Sequence, residues 1–423
     1  MTIPGENGTA VVGAPDVPAL TVVTSACRDI GPLVPVLDGA EPLLWVRRGH
    51  GFAGIGTALR LEFSGPHRVA DAAAAWQRVV AAATITDPLQ LPGTGLIALG
   101  SFAFSEHSAV TSVLIVPSII VGRSAHGCWI TRIGTDKLPP ETLPPAIPLG
   151  DANPIALVTG ALSSAGYRDV VAAAVASIRN HELSKVVLAR DLTGRLPDGT
   201  DLRHIVGALA TRYPDCWTFA IDGFIGSSPE TLVSVTGGTV TARVLAGSAA
   251  RGLDAASDED SAIALATSAK DLDEHRFAVQ SVLRSLRPHS PTVSASELPF
   301  TLKLPNLWHL ASDVDGILVD GSTALDLVGA LHPTAAVAGT PTELALELIA
   351  RLEPFDRGRY AGPVGWVGAN GDGEWAVAVR SAQVAPDGTL TAYAGAGIVA
   401  DSEPERELVE TRLKFKPIVE AIG

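Results

Sequence analysis

Near the end of the chain, Glu407, Glu410 and Lys414 fall three and four positions apart in the run YAGAGIVADSEPERELVETRLKFK. Ser402 and Pro404 just before them have the form of a helix start, a polar cap followed by a proline whose missing N–H costs nothing in the first turn. In a helix the three side chains share one face. A solvated ion-pair stripe satisfies the same pattern. The run KDLDEHR repeats the spacing, with Asp271 and Glu274 three apart. Two such carboxylate pairs are either ordinary helix-surface acids or, if they face each other, an all-oxygen site for a hard divalent cation, with Mg²⁺ the natural candidate. His275 adjoins Glu274, but no second His or Cys stands at a ligand spacing, which speaks against zinc.

Three further places bear on chemistry. Lys185 opens the apolar run KVVLAR, where a strand would hold its head at the rim of a buried sheet. It is either a strand-edge lysine that discourages pairing or a partly desolvated amine able to act as a base. Glu230, in GSSPETLVSV, follows a proline that imposes an extended approach to a strand. It is an exposed turn acid or, in a pocket, a carboxyl whose raised pKa suits a general acid. The third place gathers LAGSAARG, AVRSAQV with Arg380, and AGAG with Gly395 and Gly397. Glycines admit a ligand close to the backbone, and Arg380 offers a forked donor for a carboxylate or for a structural acid. AGAG is either a strand bend or such a close approach. No strand–GxGxxG–helix unit surrounds it, so it is not a dinucleotide fingerprint.

The elements that must position these residues alternate irregularly. LLWVRRG, ALRLEF, GLIALGSFAF and TSVLIVPSIIVGR read as strands around a helix, ADAAAAWQRVVAAA. The proline-rich stretch from Lys137 to Pro154 reads as a linker. Beyond it come a helix (YRDVVAAAVASIRNHEL), the strand SKVVLARDL and the helix DLRHIVGALATRY. The strands CWTFAIDGFI, TLVSVTG and TVTARVLAGS then lead to one long helical segment, DEDSAIALATSAKDLDEHRFAVQSVLRSL. LALELIARL is a further helix, and GPVGWVGAN and EWAVAVRSAQV are strands joined by a GDG turn. LTAYAGAGIV and a terminal helix complete the chain. Strands and helices in runs predict an α+β fold and disfavour a doubly wound parallel sheet.

Composition narrows the class. With 423 residues, 47% of them hydrophobic and 18% charged, the chain has ample material for a large core. A net charge of −14 argues against a nucleic-acid scaffold but not against a small anionic substrate met by a few local cations. Cys27, Cys128 and Cys216 are widely spaced, with no metal pattern and no disulfide framework, as in a reducing compartment. No stretch is long and apolar enough for a bilayer, and residues 1 to 18 lack the basic and apolar parts of a signal peptide. A cytoplasmic, soluble protein is expected.

Taken in order, SKVVLAR, GSSPETL, LAGSAARG, KDLDEHR, LWHLASDVDG, LHPTAAVAGTP, RGRYAGPVGW, VAVRSA and AGAGIVADSEPERELVETRLK resemble the chorismate-utilising enzymes, and within them the isochorismate synthases. The match spans about residues 160 to 418. The resemblance implies an α+β fold with two packed antiparallel sheets; one two-lobed catalytic domain is expected over residues 21–423, and a flexible tail is expected at 1–20. It implies a Mg²⁺-dependent site in the cleft. Lys185 matches the base that activates water, and Glu230 the acid that protonates the departing hydroxyl. Glu274 and Glu410 match the principal Mg²⁺ ligands, with Glu407 and Asp271 in support; Asp271 is a glutamate in some relatives. Gly247, Ser248, Ala336, Arg380, Gly395 and Lys414 match positions that contact chorismate. His309, Thr334, Tyr360 and Gly397 are further lining positions.

The family's reactions differ in nucleophile. Anthranilate and aminodeoxychorismate synthases use ammonia and carry other residues where this chain has LHPTAAVAGTP; the His332-Pro333 version resembles the water-using branch. The resemblance therefore implies an isochorismate synthase, with a salicylate synthase, which goes on to eliminate pyruvate, as the alternative. A catalytically silent chorismate binder would not need an opposed acid and base. A monomer with no obligate amidotransferase subunit is expected. Whether the product enters menaquinone or siderophore synthesis is set by neighbouring enzymes.

Overall fold

The apolar runs pair into two large sheets. They have 11 and 13 strands among the described residues and are antiparallel except where two short strands join their edges. The structure is a computed structural model and describes residues 9–11 (backbone alone), 18–142, 145–304 and 307–423. The expected tail over 1–20 falls mostly outside these. Within it, the backbone of Thr9–Val11 lies parallel to Arg60–Glu62, and Leu20 is buried. The α+β architecture with two packed sheets is as expected, and no helix among the described residues is long and apolar enough to cross a membrane.

Two strand pairs carry the site. In the larger sheet, Lys185–Arg195 runs antiparallel to Thr389–Ile398, from Val186 opposite Ile398 to Arg195 opposite Thr389. Its first seven residues are all buried, because a continuous apolar run is covered on both faces. In the other sheet, Thr239–Ala250 runs against Leu307–Ile317. That ladder slips between Leu245 and Ser248, a bulge that holds Gly247 at φ +84°. The helix Ala269–Leu286 lies on Thr239–Ala250, and the terminal helix Pro404–Ile422 lies on Thr389–Ile398. One face of the Ala269–Leu286 helix (Ala278, Val279, Val282, Leu283, Leu286) is buried, as its apolar periodicity requires.

Four local expectations are corrected. The run TSVLIVPSIIVGR is two strands, Ser112–Val116 and Ile119–Ser124, in different sheets, divided at Pro117 where no N–H is available for a ladder. The long helical segment is two helices, Ala255–Thr267 and Ala269–Leu286. Ser268 adopts an extended backbone between them, and its hydroxyl accepts from the Asp271 N–H as an N-cap. EWAVAVRSAQV also divides, Gly373–Val377 going to one sheet and Ser381–Val384 to the other. Arg380 makes the crossing at φ +55°. At the terminal helix, Pro404 occupies the first turn as expected, but Glu403 and not Ser402 is the N-cap. The Ser402 hydroxyl accepts from the Val399 N–H instead.

Candidate active site

Lys185 is no edge residue. Its backbone pairs with Thr340, its neighbour Val186 pairs with Ile398, and its side chain is 10% exposed. Strand alternation turns Lys185, Val187 and Ala189 to one face, where Gly397 and Gly395 lie opposite Val187 and Ala189. The two glycines leave that face open. A Cβ on Gly397 would stand 3.0 Å from Lys185 Cε, and one on Gly395 would stand 3.2 Å from the Tyr360 hydroxyl. AGAG is thus an uninterrupted strand whose missing side chains make room.

Above this face lies a cavity of about 210 Å³. Lys185 Nζ reaches across to Glu274 Oε1 at 2.5 Å. Lys414, from the terminal helix, holds Glu410 Oε1 at 2.6 Å and donates to the Gly395 carbonyl at 2.9 Å. Burial alone would raise the Glu410 carboxyl, but Lys414, then Arg380 and Lys185, outweigh it and hold it below its ordinary range. One turn back on the same helix, Glu407 goes the other way. Burial, with Glu410 adding repulsion, pushes it up to about 7. Asp271 and Lys270 complete the rim.

Glu230 stands just before the Thr231–Thr236 strand and faces the same cavity. Burial pushes its carboxyl up to about 7, against the pull of Lys185, Arg380 and Lys414. The Arg380 guanidinium has no hydrogen-bond or ion-pair partner among the described residues, and burial lowers its pKa from the ordinary value. A buried, uncommitted guanidinium in a cavity suits a carboxylate brought from outside. His309, whose pKa burial and then Arg380 and Lys414 depress to about 3, is neutral at ordinary pH. Its Nε2 is buried without a partner among the described residues.

The cavity therefore gathers Lys185, Glu230, Gly247, Ser248, Asp271, Glu274, His309, Ala336, Tyr360, Arg380, Gly395, Gly397, Glu407, Glu410 and Lys414. Thr334 is not among them. Its buried hydroxyl lacks a partner among the described residues and borders a small adjoining cavity that shares Glu230 and Ala336. His275 faces away, hydrogen-bonded to the Ala246 carbonyl and the Ser312 hydroxyl between helix and sheet. Sequence reasoning passed over Lys270, one residue before Asp271. It also passed over the pair Glu353 and Arg357, joined at 2.6 Å with both side chains 2% exposed. Arg357 donates to the Val187 and Val337 carbonyls, and Glu353 accepts from the Ala189 N–H. Val187 and Val337 line the cavity floor. An i, i+4 Glu–Arg pair beside RGRY was the available signal, but surface helices carry the same spacing.

Among the described residues, no three His, Cys, Asp or Glu side chains are set as ligands about one point; Glu274 and Glu410 each turn to a lysine. The donor set nonetheless fits a hard divalent cation. Four carboxylates from two helices line one cavity, and the repulsion between Glu407 and Glu410 is of the kind such a cation relieves.

A family model described as chorismate binding enzyme matches residues 38–134 and 151–423. Isochorismate synthase DhbC of Bacillus subtilis is 43% identical over 269 residues, covering 61% of this chain and 67% of that protein. The crystal structure of DhbC from Bacillus anthracis superimposes with a TM-score of 0.76 at 31% identity, covering 92% of this chain and 98% of that one. MenF, the menaquinone-specific isochorismate synthase of Escherichia coli, shares the fold, with a TM-score of 0.79 at 24% identity over 96% of this chain and 95% of that one.

Proposed function

This chain belongs to the chorismate-binding enzyme family, and we propose that it is an isochorismate synthase: water adds at C2 of chorismate while the C4 hydroxyl leaves. The observation that carries the reading is an amine and a carboxyl in one cavity: Lys185 opens a strand of the larger sheet, and Glu230 stands just before the Thr231–Thr236 strand of the other. Such a displacement needs one group to take a proton from water and another to give one to the departing oxygen.

In this reading Lys185 takes the proton from the attacking water. Glu230, about half in its acid form at neutral pH because burial raises it to about 7, protonates the leaving C4 hydroxyl. Arg380, without a partner of its own among the described residues, and Lys414 neutralise the substrate's carboxylates. Gly395 and Gly397 let the ring approach the strand, and Gly247 and Ser248 on the bulge offer backbone and hydroxyl donors. Glu274 and Glu410, supported by Glu407 and Asp271, would hold Mg²⁺. When bound, that cation anchors the ring carboxylate, stabilises charge as the double bonds shift and supplies the counter-charge that the lysines otherwise give.

The test incubates the purified protein with chorismate and Mg²⁺ and resolves the products by chromatography. Isochorismate as the sole product is expected. Salicylate with pyruvate would replace the reading by the salicylate synthase, and unchanged chorismate would overturn it.

The state of Glu230 gives a pH signature. The carboxyl must be protonated to act, so kcat/KM is expected to fall above about pH 7, approaching about tenfold per unit as the acid form is depleted. Glu230→Gln keeps an amide in the place of the carboxyl but has no acidic proton to give. It is expected to lose turnover and, in whatever activity remains, that alkaline limb. A limb unchanged in Glu230→Gln would assign it to another group.

A further inference from the structure

Cys27 and Cys128 lie about a hundred positions apart in sequence, yet they are direct cross-strand partners in the antiparallel ladder of Thr21–Cys27 and Gly127–Gly134. They form its last rung, beside the Ser124–Gly127 turn. Residues directly opposed in such a ladder project to the same face, as Thr24 and Thr131 do three rungs away, where their hydroxyls hydrogen-bond at 2.9 Å. Opposed Cα atoms stand about 4.5 or 5.5 Å apart, and a disulfide spans about 4.4–6.8 Å. The separation is therefore right without unpairing the strands. Neither is in a disulfide, and the Cys128 thiol donates to Asp29 Oδ1 at 3.8 Å, a carboxylate that also faces Arg123.

The rung is also able to tighten. Opposed Cβ atoms in a ladder are about an ångström farther apart than in a disulfide, so the strands must draw together there. On its outer side, the strand bearing Cys27 is paired only over Thr21–Val23, with Thr84–Thr86. Its last residues are thus an edge free to move by that amount among the described residues. Cys27 is partly exposed, and Cys128 is 9% exposed beneath it. The more exposed residue suits an attacking thiol and the buried one a resolving thiol.

We propose that Cys27 and Cys128 are an oxidisable pair that closes to a cross-strand disulfide by exchange with a small-molecule disulfide of the glutathione class. The Cys27 thiolate attacks one sulfur of the reagent, forming a mixed disulfide and expelling one small thiolate. The Cys128 thiolate then attacks the Cys27 sulfur, forming the protein disulfide and expelling the second. Two protein thiols are oxidised, one reagent disulfide is reduced to two thiols, and the two thiol protons pass to them through solvent. The closed bond joins the first strand of the larger sheet to its neighbour and restrains a long stretch of unfolded chain. Burial, and then Cys128 and Asp29, raise the Cys27 thiol, so the exchange is slow at neutral pH and faster in mild alkali.

The experiment incubates the folded full-length protein with oxidised glutathione at mildly alkaline pH. Intact mass, peptide maps without reduction and melting temperature are then measured before and after dithiothreitol. The expected result is a chain lighter by two hydrogens, a Cys27–Cys128 linked peptide and a melting temperature higher by a few degrees, all reversed by the reductant. Cys27→Ser blocks the change while isochorismate formation stays at the wild-type rate, since neither cysteine borders the cavity. Cys216→Ser leaves the change intact, because that thiol is buried and pushed up to about 11. A stable mixed disulfide at Cys27 that never resolves, a link formed only after denaturation, or a link to Cys216 would each overturn the proposal.

Discussion

Lys185→Ala is expected to lose about 10²–10⁴-fold in turnover, the range a positioned general base contributes, with the chain still folded. The lysine sits first in its strand, fixed by pairing with Thr340, and its head is directed over Gly397 into the cavity. Alanine alone would not separate a base from a countercharge, because Lys185 also holds Glu274 at 2.5 Å. Lys185→Arg separates them. Arginine keeps a positive charge opposite Glu274 but stays protonated throughout the working range, so it cannot accept the proton from water. Both variants are expected to be inactive in the chorismate assay, with circular dichroism like that of the wild type. Turnover restored by arginine would show that the lysine serves only as a charge, and the assignment of the base would fail.

Arg357→Ala is expected to destabilise the fold by about 3–5 kcal/mol, read as a lower urea midpoint at unchanged slope. The cost comes from leaving Glu353 charged in the interior, where both side chains are 2% exposed. The Val187 and Val337 carbonyls also lose their donors, and the guanidinium no longer lies 4.5 Å over the Phe104 ring. Replacing a buried pair by two apolar residues is often neutral. Here Glu353 accepts from the Ala189 N–H at 2.7 Å, so a Glu353→Leu/Arg357→Leu double variant leaves backbone groups unsatisfied as well and is expected to recover only part of the loss. An unchanged midpoint in Arg357→Ala would mean that the pair does not hold the cavity floor. Because Val187 and Val337 line that floor, surviving activity should fall along with stability.

Much of the site was legible because the reacting groups carry their chemistry in their type and their local spacing. Asp271 with Glu274, and Glu407 with Glu410, share helix faces by the helical repeat alone, and both helices form. Lys185 heads a continuous apolar run, which predicts a strand covered on both faces, and the strand is covered. Other features were not legible because local patterns are silent about pairing. EWAVAVRSAQV reads as one strand, and only the close approach of the two sheets turns Arg380 through φ +55° into the cavity. Ser268 is one polar residue within a helical pattern, and its backbone is extended because it caps the next helix. The Glu353–Arg357 spacing fits an exposed helix, whereas here it is sealed beneath the strand.

The sequence by itself determined the α+β class, the amphipathic faces of the helices and the set of acids, amines and glycines from which the site is made. Those properties follow from side-chain type and from periods of two and 3.6 residues, which act over a few neighbours. The tertiary structure alone decided which strands became partners, where one strand passes between sheets, and that Cys27 faces Cys128 while Lys185 faces Glu274. Long-range pairing is selected by the summed burial of both faces of both sheets, a quantity that no short window of residues contains.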